Sequence, residues 1–177
     1  MLVAIAETGD KTQLLSFVLA ARLRRPWPII GGILVATLAN HALAAAAGAW
    51  LAALAAPQVV RWLTAAAFFA FGIWALFPDR YDGDLEADRR GAFVTTVVAF
   101  FLAEIGDKTQ LATVALGARF DALAAVVLGT TLGMMVANVP AVLIGDRLAS
   151  RLRMDIVRWI AAGLFFATGL LALAGPG

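Results

Sequence analysis

Six apolar runs, each long enough to cross a bilayer, leave this chain few folds to adopt. They cover residues 1–21, 27–56, 58–77, 92–118, 122–145 and 156–174. About 20 apolar residues of helix span the hydrocarbon, so each run reads as one crossing. Backbone groups at that depth have no water to bond, and a helix closes its own hydrogen bonds. The alternating pattern of a membrane barrel is missing. Between the runs stand charged residues and helix-breaking prolines: Arg22, Arg24, Arg25 and Pro26 after the first, Pro57 after the second, Pro78 after the third. Hydrophobic residues make up 62% of the chain and charged ones 15%, against about 45–50% and ~25% in soluble domains. Lipid must therefore cover much of the surface.

Composition removes several function classes. There is no cysteine, which excludes disulfide frameworks and thiolate metal sites. A net charge of +2 does not make a nucleic-acid binder, because the arginines sit between apolar runs instead of forming one stripe. Nor does the N-terminus read as a cleaved signal, since Glu7, Asp10 and Lys11 interrupt any apolar core of one.

The two halves repeat. An offset of 97 residues carries Ala6-Glu7-x-Gly9-Asp10-Lys11-Thr12-Gln13-Leu14 onto Ala103-Glu104-x-Gly106-Asp107-Lys108-Thr109-Gln110-Leu111. The same offset carries Arg61-Trp62 onto Arg158-Trp159, and Phe68-Phe69-Ala70-x-Gly72 onto Phe165-Phe166-Ala167-x-Gly169. Asn40 and Asn138 match with a one-residue slip. The expected organisation is therefore a first three-helix repeat at 1–77, an acidic linker at 78–91 and a second repeat at 92–177.

Three crossings per repeat is an odd number, so the second copy enters the membrane from the opposite side. Arginine placement supports this. The connections after the first, third and fifth runs hold ten arginines (22, 24, 25, 80, 89, 90, 147, 151, 153 and 158), and the other face holds only Arg61 and Arg119. The positive-inside rule then puts the linker in the cytoplasm and both termini outside, in a multi-pass protein of the cell (inner) membrane. Inverted repeats with a site at their interface are the architecture of many secondary transporters. Twelve mostly apolar residues precede Glu104 but only six precede Glu7. A short missing start to the first helix is expected.

The chemistry lies in the repeated motif. Isolated ionised groups inside a span cost about 2.5–3.5 kcal/mol each on the insertion scale. Glu7, Asp10 and Lys11 fall at i, i+3 and i+4, on one side of a helix, as do Glu104, Asp107 and Lys108. Both lysines of the chain belong to these motifs. Gly9 and Gly106 either face away from the acids for close packing, or mark an unwound turn that frees carbonyls for an ion. If the two motif helices meet, four carboxylates converge with two ammonium groups and leave a formal −2. One divalent cation neutralises that. Gln13, Gln110, Asn40, Asn138, Thr12 and Thr109 add amide and hydroxyl oxygens as candidates for further ion or proton-pathway groups. An all-oxygen set of this kind suits calcium, manganese or magnesium better than copper or zinc. Lys11 and Lys108 read equally as counter-ions or as participants. The same carboxylates can take protons when the metal leaves.

Two copies of Glu-x-Gly-Asp-Lys-[Thr/Ser], each opening a three-span unit, resemble the Gdt family of cation/proton exchangers. The resemblance covers essentially the whole chain, with Thr8 and Ile105 at the variable position. It implies that Glu7, Asp10, Glu104 and Asp107 bind the ion. It also implies Mn2+, with Ca2+ next, as cargo in exchange for protons, exported from the cytoplasm, with no prosthetic group and no enzyme activity. A homo-oligomer is compatible with this reading. Two other classes compete: an intramembrane aspartyl hydrolase using Asp10 and Asp107, and a non-transporting assembly subunit.

Weaker features have plainer readings. His41 is expected to pack before it relays protons. Trp27, Trp50, Trp62 and Trp159 are expected as headgroup-level anchors. Phe68-Phe69 and Phe165-Phe166 are expected to pack or face lipid. The acidic stretch Asp79–Asp88 lacks calcium-loop spacing and reads as a solvated connector.

Overall fold

The computed structural model describes residues 2–8, 10–77, 91–149 and 154–174. Every element among them is an α-helix: α1 (Leu2–Glu7), α2 (Lys11–Leu23), α3 (Pro26–Ala53), α4 (Pro57–Ala75), α5 (Gly91–Glu104), α6 (Lys108–Arg119), α7 (Leu123–Ala149) and α8 (Met154–Ala174). Four of the six expected runs are single helices. The first and fourth are each split in two at the Glu-x-Gly-Asp-Lys motif, where a regular helix was one of the two readings. Linker residues 78–90, Gly9, and Arg151 and Arg153 lie outside the described residues.

The splits have a local cause. After Glu7 and Glu104 the ladder tightens: the Asp10 N–H donates to the Glu7 carbonyl at 3.1 Å, and the Asp107 N–H to the Glu104 carbonyl at 3.0 Å. Both aspartates then take extended backbone angles as the residues before a new helix, a position their type favours. Gly106 turns the chain at φ +76°, which a side chain would resist. The unwound turn, not the uninterrupted helix, is what the motif builds.

α3, α4 and the Leu123–Ile144 part of α7 are long and apolar enough to cross a membrane, and Gly91–Glu104 and Trp159–Ala174 are shorter apolar helices. Leu43, Leu63, Leu132 and Leu171 are exposed on their outer faces, as lipid contact requires. The four tryptophans expected as anchors are exposed as well.

Packing exchanges partners between the halves. α5 and α6 lie on α3, whereas α1 and α2 lie on α7, and α3 and α7 pack against each other. α4 and α8 pair along a phenylalanine seam, with Phe68 and Phe165 stacked at 6.3 Å and Phe69 and Phe166 tilted at 6.0 Å. Phe68 and Phe165 are buried, which settles them as packing residues. One apolar cluster gathers Ala6, Phe71, Ala112 and Phe165 from α1, α4, α6 and α8, and another gathers Leu15, Ile33, Phe100 and Val142 from α2, α3, α5 and α7. The two chain breaks join these clusters.

α3 and α6 pack backbone to backbone at two glycines. A Cβ on Gly48 would meet the Val114 carbonyl, and one on Gly117 would meet the Ala45 backbone. Backbone cannot swing aside as a flexible side chain can. Gly48→Ala and Gly117→Ala are each expected to lower stability by about 1–3 kcal/mol, measured by thermal unfolding in detergent.

Candidate metal centre

The unwound turns bring opposite helix ends together. Glu7 and Glu104 close α1 and α5, where the last carbonyls make a helix terminus negative. Asp10 and Asp107 precede α2 and α6, where exposed N–H groups make it positive. The aspartates suit their places; the glutamates add negative charge to an already negative end. A cation at that point relieves both.

All four acids are at most 2% exposed. Carboxylate oxygens of Glu7, Asp10 and Asp107 lie within 4.8 Å of one another. Oxygens sharing a calcium-sized ion at about 2.3–2.6 Å can be up to roughly 5 Å apart, so these three fit one ion. Glu104 is not part of that trio. It is buried with neither side-chain oxygen hydrogen-bonded.

The lysines pair crosswise. Lys11 Nζ is 3.2 Å from Asp107 Oδ1, and Lys108 pairs with Asp10, so each ammonium serves the aspartate of the other motif. Lys108 is buried, while the Lys11 side chain keeps 24% exposure. Each aspartate is thus already balanced by a cation, where a proton-sharing pair of hydrolase aspartates needs none.

The hydroxyl and amide candidates divide by partner. Thr12 Oγ1 donates to Glu7 Oε2 at 2.5 Å across the first break. Thr109 does not mirror it, since its Oγ1 donates to Asp107 Oδ2 at 3.0 Å. Gln13 Nε2 donates to the Ala137 carbonyl of α7 at 3.0 Å. Pro140, inside α7, has no N–H to close the turn beside that carbonyl. In the second break the Gly106 N–H donates to Gln110 Oε1 at 2.8 Å, and Gln110 Nε2 donates to Asn40 Oδ1 at 3.3 Å. Asn40 Nδ2 in turn donates to the Phe101 carbonyl at 3.2 Å, one of the terminal carbonyls of α5. Asn40 therefore fastens both parts of the second broken helix to α3. Asn138 Oδ1 accepts from Ser16 Oγ at 2.7 Å and so ties α2 to α7. Ser16 was not among the sequence candidates, although it lies one turn past Thr12 on the motif's own helix. His41 is fully buried, and neither ring nitrogen has a hydrogen-bond partner.

The chain is similar to known proteins along nearly its whole length. The family described as "Divalent cation/proton antiporter GDT1" matches residues 1–83 and 92–176. A Vibrio cholerae protein named "Putative manganese exporter" is 52% identical over 173 residues, covering 97% of this chain and 85% of that protein. "GDT1-like protein 5" of Arabidopsis thaliana is 30% identical over 216 residues, covering 97% and 92%. "GDT1-like protein sll0615" of Synechocystis is 28% identical over 188 residues, covering 94% and 90%. No solved structure matches. The family is one of transporters and not of enzymes, and the helices described above are those of a multi-pass membrane protein. The chain belongs to the GDT1 family of divalent cation/proton antiporters.

Proposed function

We propose that this protein exports a divalent cation, manganese ahead of calcium, from the cytoplasm across the cell membrane in exchange for protons. The observation that carries the reading is the buried meeting of two motifs 97 residues apart, with three carboxylates within reach of one ion. The manganese assignment draws on the Vibrio cholerae relative named for that ion.

In this reading α1 with α2, and α5 with α6, each make one broken crossing, and α3, α4, α7 and α8 make the other four. The repeats 1–77 and 92–177 are inverted, with the 78–91 linker in the cytoplasm and the termini outside. The odd number of crossings per repeat and the arginine distribution support this. Discontinuous helices meeting at the midplane are a recurrent device for ion sites in transporters.

Glu7, Asp10, Glu104 and Asp107 bind the cation, and Lys11 and Lys108 act as internal counter-ions. An arriving divalent cation competes with the ammonium groups for the aspartate oxygens. When it leaves, the lysines return to Asp107 and Asp10, and protons from the opposite side neutralise the glutamates. The acids are then never left bare at depth, where an isolated charge is costly. Thr12 and Thr109 orient their carboxylates. Gln13, Gln110, Asn40 and Asn138 hold the broken helices on their long partners.

Purified protein in proteoliposomes should drive manganese flux when a pH gradient is imposed, and a protonophore should collapse it. Calcium should compete better than magnesium, which sheds its water reluctantly. Flux indifferent to the gradient would remove the exchange mechanism, and no flux at all would leave an assembly role.

A further inference from the structure

We propose that the seam between α3, α4 and α6 binds one anionic glycerophospholipid, with its acyl chain in an apolar groove and its phosphodiester on Arg61 and Arg119. The groove has a volume of about 260 Å³ and is lined by Leu63, Ala67, Phe71, Leu111 and Val114, with almost no polar surface. It opens past Ala52, Ala55, Val60 and Ala118 into a polar mouth of about 270 Å³, where Arg61, Arg119 and Asp121 stand together.

Length and charge both select a lipid. Arg61 to Phe71 is ten residues of α4, about 15 Å of helical rise, which is half of a hydrocarbon core about 30 Å thick. The groove therefore follows a single leaflet, from the level of the 54–56 and 120–122 turns toward the bilayer centre. Small side chains leave room for it: Ala52 on α3, Ala67 on α4, and Ala115 and Ala118 on α6. At the mouth, two guanidinium groups and one exposed carboxylate leave a net +1, which a monoanionic phosphodiester matches. Arg61 Nε is buried with no hydrogen-bond partner, although guanidinium donors are normally satisfied. Phosphate oxygens accept from guanidinium in a bidentate fork. Arg119 Cζ stands 5.9 Å from the Phe120 ring centroid, which steadies the second guanidinium at the rim. A free anion would use the mouth alone and leave the apolar groove unexplained; a lipid uses both.

The site lies apart from the acidic cluster but touches its support, since α6 begins at Lys108 and ends at Arg119. A lipid seated there bridges α4 and α6.

Native mass spectrometry of the full chain in detergent, titrated with phosphatidylglycerol, phosphatidylcholine or inorganic phosphate, tests the assignment. One phosphatidylglycerol should be retained about tenfold more tightly than phosphatidylcholine, whose choline ammonium cancels the phosphate charge that the mouth of net +1 selects. Arg61→Gln with Arg119→Gln should reduce phosphatidylglycerol to the phosphatidylcholine level. Ala67→Leu, which fills the groove and spares the arginines, should remove the single-lipid adduct. Equal retention of the two lipids by the native protein would overturn the site, as would wild-type phosphatidylglycerol retention in either variant. Displacement of lipid by inorganic phosphate would overturn it in favour of a free-anion site. Both variants are compared with the native protein as monodisperse fractions, and an arginine variant that loses both lipids by the same factor counts against a headgroup clamp.

Discussion

Glu7→Gln combined with Glu104→Gln is expected to cut manganese flux in proteoliposomes at least about tenfold, since cation affinity in oxygen sites follows ligand charge count. The same protein should unfold within about 1 kcal/mol of the native one. These two expectations separate because the ion pairs of Lys11 and Lys108 with Asp107 and Asp10 are left in place. Glu7 accepts one hydroxyl from Thr12, which a glutamine oxygen can also accept. Glu104 has no hydrogen bond to lose. Glutamine keeps the shape of the side chain and removes the charge, so the change falls on the ion and not on the helices. A role confined to packing predicts the reverse, with stability lost and no flux in either protein. Unchanged flux would take both glutamates out of the site.

The duplication was legible because chemistry is written at fixed spacing: Glu7 and Glu104, or Phe68 and Phe165, announce one another without any structure. The break in each motif helix was half legible. Aspartate before a lysine and after a glycine carries a helix start, yet the surrounding apolar run reads as continuous. What decides it is the turn at Gly106 and the tightened bonds from Asp10 and Asp107. The crossed pairing of Lys11 with Asp107 and Lys108 with Asp10 was not legible. Within either motif the nearest acid to lysine in sequence is its own neighbour, and only the packing of α1–α2 on α7 and α5–α6 on α3 exchanges them. Nothing in an apolar run says which long helix it will lie on. Asn40 and Asn138 were recognised as polar groups at depth, but their bonds to Phe101 and Ser16 depend on that same exchange.

Asp10→Asn should be the most destabilising single change among the acids, costing about 3–5 kcal/mol, because it takes the ion pair from a buried lysine. Lys108 is 4% exposed and cannot recover the loss from water. Adding Lys108→Gln removes the second charge with the first, and most of the lost stability should return. Buried pairs replaced as a unit are often near neutral, whereas breaking one is not. The pair should therefore show a coupling energy well above the additive expectation for two independent sites. The symmetry-related cycle, Asp107→Asn with Lys11→Gln, should show less, since the Lys11 side chain keeps 24% exposure and its charge is partly screened. Manganese flux should not follow stability. The Asp10→Asn/Lys108→Gln protein regains its fold but still lacks a carboxylate that the cation needs, so transport should stay at the level of Asp10→Asn alone. Were flux to return with stability, Asp10 would be a structural partner of Lys108 and no ligand, and the site would have to be built from Glu7 and Asp107 with Glu104.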